Sequence, residues 1–383
     1  MARTGGGVTR TIVMICAVVA LSSCTWLVPT PPGIGHEVAW SELPGWSDGD
    51  QAAAWPALMQ DCRKLSVRDA AWAKICRAAA AMPAAPDDAQ ARRFFEQYFS
   101  AHEMIGLDGR RHGLITGYYE PVLSGSLVRT DRFRYPLYRR PDNLVRIDLG
   151  ALYPELQGLL LRGRLDGDRV VPYYSRRQIT DSADPLRGQE LLWVDDAVAL
   201  FMLQVQGSGL VRLPDGSLIG VSYADQNGYP YFAIGQRLVE MGALKQKEVS
   251  LQSISRWLHD HPDEAESVLN SNPSYVFFRL TSASTPGPMG ALRVPLTPQG
   301  SIAVDPAFIP LGMPVWLDTT LPQKDMPYRR LMLAQDTGGA IKGPVRADVF
   351  FGRGRHAERL AGRMKEPGRL YVLLPDGGAS DEG

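Results

Sequence analysis

The chain has 383 residues, 45% of them hydrophobic, enough for one large domain or two ordinary ones with a real core. Its 41 Lys and Arg balance 41 Asp and Glu, and no basic block exceeds a few residues. That argues against nucleic acid as a partner and against a polybasic membrane patch.

In chain order, Arg3 and Arg10 precede an uncharged apolar stretch, Thr11–Leu21, too short for a comfortable membrane span. A charged n-region and an h-region of this length read as a secretory signal over residues 1–23. Leu21-Ser22-Ser23-Cys24 resembles the lipobox of bacterial lipoproteins. The resemblance implies cleavage before Cys24 and diacylation of its thiol; an ordinary cleavage site or an uncleaved anchor is the alternative. Thr25, where Asp would favour inner-membrane retention, points to lipid anchoring in the outer membrane, facing the periplasm. Pro29, Pro31, Pro32, Gly33 and Gly35 make 24–38 an extended tether.

Helical patterns follow at about 50–63, 66–82 and 87–103. Ser66 with Asp69 reads as a capping box opening the second. Pro86-Asp87-Asp88 opens the third, whose Phe94, Phe95, Tyr98 and Phe99 form an apolar face. Cys62 and Cys76 are the two cysteines left once Cys16 departs with the signal and Cys24 takes the lipid. In an oxidising compartment they can form a disulfide stapling the first two helices; two buried thiols are the alternative.

From Gly113 the pattern turns to short β-rich segments: 114–119, 209–213, 217–223, 275–280, 331–334, 347–351 and 369–374. Leu210–Val221 reads as a hairpin about Pro214-Asp215-Gly216. Helices interrupt at about 196–204, 231–241, 250–260 and 356–364. Without regular βαβ alternation, the fold class is mainly β, of α+β type.

The six histidines lack the paired spacing of a metal site. No phosphate-binding glycine loop precedes a helix, and Gly207-Ser208-Gly209 is not a nucleophile elbow. Neither metal nor cofactor is expected. What remains is carboxylates in apolar, glycine-rich sequence. Asp336 ends a hydrophobic strand at Gly338-Gly339, Asp348 lies in the apolar strand Ala347–Phe351, and Asp305 precedes Pro306. An Asp in a buried strand is costly unless paired, hydrogen-bonded or neutral. If the turn folds the two strands together, Asp336 and Asp348 approach, and at least one pKa rises as a general acid requires. Turn caps satisfied by backbone N–H groups are the competing explanation, strongest for Asp336 and Asp305. A second constellation is polar and aromatic: Tyr118-Tyr119, then Gln204 and Gln206 before Ser208-Gly209, then Ser222–Gly228. Uncharged amides, phenols and hydroxyls suit a polyhydroxylated ligand, a sugar.

The stretches TGYYEP, LFMLQVQGSG, YADQNGYPY, NPSYVFF, VDPAFIPLG and AQDTGGAIKG with RADVFFG, within 113–375, resemble the membrane-bound lytic murein transglycosylase A (MltA) family. The last of them resemble its three-aspartate (3D) domain, here Asp305, Asp336 and Asp348. The resemblance implies a double-psi β-barrel with a second, smaller β-domain inserted. Residues 39–115 would hold helices and the first part of the barrel, 116–275 the insert, and 276–383 the rest of the barrel. It implies cleavage of peptidoglycan strands between N-acetylmuramic acid and N-acetylglucosamine, leaving 1,6-anhydro ends. It assigns Asp348 as acid then base and Asp336 as its tuner, with Asp305 supporting a turn. Tyr118, Gln204, Gln206, Ser208, Gly209, Gly338 and Gly339 would contact the glycan or hold developing charge. A wall-synthesis complex is a partner this reading leaves open. Rival readings are a true hydrolase and a non-catalytic peptidoglycan-binding outer-membrane lipoprotein.

Overall fold

A computed structural model describes residues 1–2 and 31–376, apart from 158, 160, 182–183, 285–286 and 323–325. Cys24 and nearly all of the signal segment lie outside the described residues.

Three amphipathic helices, Trp55–Leu65, Ala70–Ala80 and Asp88–Tyr98, bury Trp55, Trp72, Phe94 and Phe95 in one core. The second helix starts at Ala70, where the Asp69 carboxylate accepts the Trp72 N–H, and Ser66 ends the helix before it. The expected Ser66 capping box is therefore replaced by an Asp69 cap. Cys62 and Cys76 are joined by a disulfide between these two helices. Asp87 caps the third helix, which stops at Tyr98 rather than running to 103. The β-compatible run Phe99–Ile105 continues as a strand.

That strand belongs to an eight-stranded sheet in the order Gly33–Val38, Phe99–Ile105, Lys365–Pro375, Pro314–Thr320, Pro327–Asp336, Ser301–Val304, Arg346–Arg353 and Gly113–Glu120. Part of the expected tether is thus an edge strand. Gly35 permits it, because a Cβ there would meet the Glu103 carbonyl oxygen at 2.6 Å. Residues 365–368 also pair with 113–116, while 369–372 pair with 315–318. The pairings of six strands therefore return to their start. Two pairings in that cycle are parallel, 301–303 with 333–336 and 346–353 with 114–120. The helices at the N-terminal end share this sheet's core through Trp316, Leu317, Leu333 and Val372.

After Glu120 the chain crosses into a six-stranded sheet that it leaves after Thr281, with a three-stranded sheet, Val145–Ile147, Leu161–Asp166 and Arg169–Val171, beside it. The strands Ser208–Arg212 and Leu218–Gln226 form the antiparallel hairpin. Helices Ala197–Gln206, Ile234–Glu240, Leu251–Asp260 and Pro262–Leu269 pack around Phe201, Leu238 and Leu258.

Candidate active site

The short strand Ser301–Val304 organises the carboxylates. Ala303 stands opposite Asp336 on one side and Asp348 on the other. Residues directly opposite in a sheet project to the same face, so both carboxyls rise from one face, with a methyl group between them. Asp348 stands opposite Thr116, and Phe350 opposite Tyr118, on the parallel neighbour. Tyr118, Phe350, Ala303, Leu296 and Ile341 form a small apolar floor beneath the carboxyls.

Hydrogen bonds divide the two acids. Asp336 Oδ2 accepts the Tyr118 hydroxyl at 2.9 Å, and Oδ1 accepts the Ala291 N–H at 3.0 Å. Asp348 Oδ1 accepts the Thr116 hydroxyl at 2.7 Å. Among the described residues its Oδ2 has no hydrogen-bond partner. Both side chains keep partial access to solvent. Burial pushes Asp336 up to about 6, against hydrogen bonds from the Thr337 N–H, Tyr118 and Ala291, and the charge of Asp348 adds to the rise. Burial also raises Asp348, while the Thr116 hydroxyl and the Arg346 guanidinium pull it down.

Asp305 lies apart from this pair. Its Oδ2 accepts the Gly343 N–H at 2.9 Å and its Oδ1 the Ala307 N–H at 3.3 Å, with Lys342 Nζ 3.9 Å away. It holds the 338–343 turn. Gly338 and Gly339 lie in that turn, but the backbone N–H groups that reach Asp336 come from Ala291 and Thr337. Gly339 opens onto free space.

The polar constellation is only partly brought together. Gln204 and Gln206 lie on the helix Ala197–Gln206, so they do not share a side as they would on a strand. Gln204 is buried beside the Tyr275 hydroxyl, and Gln206 Oε1 accepts the Tyr119 N–H at 3.0 Å, tying the helix end to the Thr116 strand. A Cβ on Gly209 would meet Leu203 at 2.5 Å and the Pro121 carbonyl oxygen at 3.0 Å, so this glycine serves packing. Ser208 pairs with Ser222 at the hairpin end. Tyr118 is buried against Asp336, an orienting group rather than a stacking face. In YADQNGYPY, Asp225 is buried among arginines, and Asn227 bonds the Tyr174 and Pro273 carbonyls.

Sequence reasoning missed Thr116, which faces Asp348 across the sheet, Arg346, two residues before Asp348 on its own strand, and Ala291, whose N–H reaches Asp336 from a turn. It also missed a buried connector. The Gln335 amide donates to the Ala57 carbonyl at 3.0 Å and to Asp61, and its oxygen accepts the Ser301 hydroxyl. Burial pushes the Asp61 carboxyl well above its usual range. This network fixes the helix Trp55–Leu65 to the residue beside Asp336.

The MltA specific insert domain matches residues 114–279, and the 3D domain matches 300–374. Membrane-bound lytic murein transglycosylase A of Escherichia coli K12 is 33% identical over 73% of this chain and 71% of its own. The crystal structure of membrane-bound lytic murein transglycosylase from Agrobacterium tumefaciens superposes with a TM-score of 0.78 at 34% identity, covering 90% of this chain and 98% of that one. E. coli MltA with bound chitohexaose superposes with a TM-score of 0.69 at 27% identity, covering 91% and 95%. An insert domain and a 3D domain joined in one chain define the class. The chain belongs to the membrane-bound lytic murein transglycosylase A family.

Proposed function

We propose that this chain is a lytic transglycosylase of peptidoglycan, cleaving the β-1,4 bond between N-acetylmuramic acid and N-acetylglucosamine, with Asp348 as its acid and base. The observation that carries the reading is the difference between the two carboxyls. Asp336 receives donors on both oxygens, the environment of a fixed anion. Asp348 has one oxygen held by Thr116 and the other open toward solvent, over an apolar floor that favours its protonated form. A group that must give and retake a proton needs that open oxygen.

In this mechanism Asp348 protonates the glycosidic oxygen as the bond to C1 breaks. The resulting carboxylate then takes the proton of the muramic acid C6 hydroxyl, whose oxygen closes onto C1. The product is a 1,6-anhydro end, no water is consumed, and Asp348 is protonated again. One carboxyl suffices, whereas hydrolytic glycosidases divide the work between two. Asp336 lies within reach of the Asp348 charge and orients the site through Tyr118. The chitohexaose in the E. coli relative supports a glycan as ligand. The cycle of six paired strands, two pairings parallel, supports the double-psi barrel as the frame.

We read residues 1–23 as a signal and Cys24 as the lipid-bearing residue holding the body to the outer membrane. No helix among the described residues is long and apolar enough to cross a membrane. The test of the catalytic assignment is Asp348→Asn in the full chain. Turnover of sacculi falls by about 10²–10⁴-fold while glycan binding persists; near wild-type turnover overturns the assignment.

A further inference from the structure

In the YADQNGYPY segment, the carboxylate of Asp225, only 1% exposed, accepts from Arg140 Nε at 3.0 Å, Arg146 Nε at 2.9 Å and Arg162 Nε at 2.9 Å. Arg146 and Arg162 stand directly opposite each other on the three-stranded sheet, an arrangement of like charges that is ordinarily destabilising. Arg164, two residues on and so on the same face, lies over the Tyr174 ring at 4.8 Å. Its buried Nε has no acceptor among the described residues. Three guanidinium groups thus gather about one carboxylate, leaving a positive excess, with Arg164 next along the same strand face. Arg162 is 8% exposed, whereas Arg146 is 60% exposed and reachable from solvent.

Beside this cluster opens a cavity of about 300 Å³, lined by Arg162, Val170, Tyr173, Asn227 and Tyr229. The Asn227 side chain is already committed to backbone groups, which leaves Arg162 as the cavity's charged lining residue, with Nε on Asp225 and Nη1 on the Leu161 carbonyl. Asp225 fixes the arginines in place without neutralising them. Such a wall is made for an anion, and guanidinium groups recognise planar carboxylates through paired N–H donors.

We propose that this face of the insert is a second, carboxylate-binding subsite that holds the anionic peptide stem carried by muramic acid, apart from the site that cleaves the sugar chain. The inference builds on the glycan reading above and adds the substrate's peptide carboxylates to its neutral sugars. The apolar members of the cavity wall, Val170 and Tyr173, suit the aliphatic part of a short peptide between its carboxylates.

The test is binding rather than cleavage, so that it stands apart from the transglycosylase assignment. The full chain carrying Asp348→Asn is cosedimented with sacculi, either whole or stripped of peptides by an amidase. Binding to whole sacculi is stronger by about ten- to a hundredfold, the worth of one charge-assisted hydrogen bond, and the preference fades in high salt. Arg146→Gln and Arg164→Gln each remove most of the preference. Arg146→Lys restores part of it, and Arg169→Gln, at the sheet edge beside Asp166, keeps it. Equal binding to whole and stripped sacculi overturns the proposal. So does a preference that survives both Arg→Gln variants, or inorganic phosphate competing where free stem peptide does not. If the preference holds but cleavage yields no anhydro ends, the subsite stands and the transglycosylase reading falls.

Discussion

Asp336 and Asp348 differ by what touches them, and their titrations should separate accordingly. Asp348 must start protonated, so activity falls as pH rises through its raised pKa. Asp336 serves as an ionised acceptor, so activity also falls as pH drops through its own raised pKa. Tyr118→Phe removes a donor to the Asp336 carboxylate, which raises that pKa, and the acid limb of the pH–rate profile moves up by about one unit. An unmoved limb would mean that Asp336 does not set it. The pair of carboxylates was legible in the sequence, because charged residues in apolar strands beside a glycine turn are costly enough to stand out. Thr116 was not, because its tie to Asp348 depends on a parallel pairing across more than two hundred residues. Gln204, Gln206 and Gly209 were visible as a cluster. Gln206 ties a helix end to the Thr116 strand and Gly209 packs closely on Leu203 and Pro121, and local pattern does not distinguish such packing from sugar binding.

At the scale of elements, the short β-rich segments and the helices at 197–206, 234–240, 251–260 and 354–361 fall within a few residues of where periodicity puts them, whereas the helix Pro262–Leu269 and the strands Ser301–Val304 and Pro314–Thr320 were not anticipated. Misses came where one signal overrode another. Proline and glycine in the tether hid the edge strand Gly33–Val38, and the helical pattern of Phe94–Phe99 ran on into Phe99–Ile105. The disulfide joins helices that pack on the same core as the sheet and that reach Asp336 through Asp61 and Gln335. Replacing Cys62 and Cys76 together with serine costs about 3 kcal/mol for a loop of this length, read as a lower midpoint in denaturant. A midpoint unchanged from the wild type would show that the staple adds nothing to the folded state.

Across the whole molecule, the site is a place where stability yields to chemistry. Asp336 has a folded pKa raised above its ordinary 3.8, so its favourable contribution is complete below that value and is lost as pH rises through about 6. Asp336→Asn should therefore stabilise the chain at pH 8, by about 1–2 kcal/mol after allowance for the open side of the cleft, and do little at pH 4. Thermal melts at the two pH values read this directly; equal effects at both would remove burial as the cause. The order of strand and helix patterns had already pointed to a mixed α+β chain. The cycle of pairings that brings residues 116, 303, 336 and 348 to one face rests on contacts between distant strands, and no window of sequence carries that information.

The most direct test of the central claim is mass spectrometry of the muropeptides released from purified sacculi by the full chain, wild type beside Asp348→Asn. The account predicts products one water lighter than hydrolysed muropeptides, formed by the wild type and lost in the variant. Products with ordinary reducing ends would contradict it and make the chain a hydrolase.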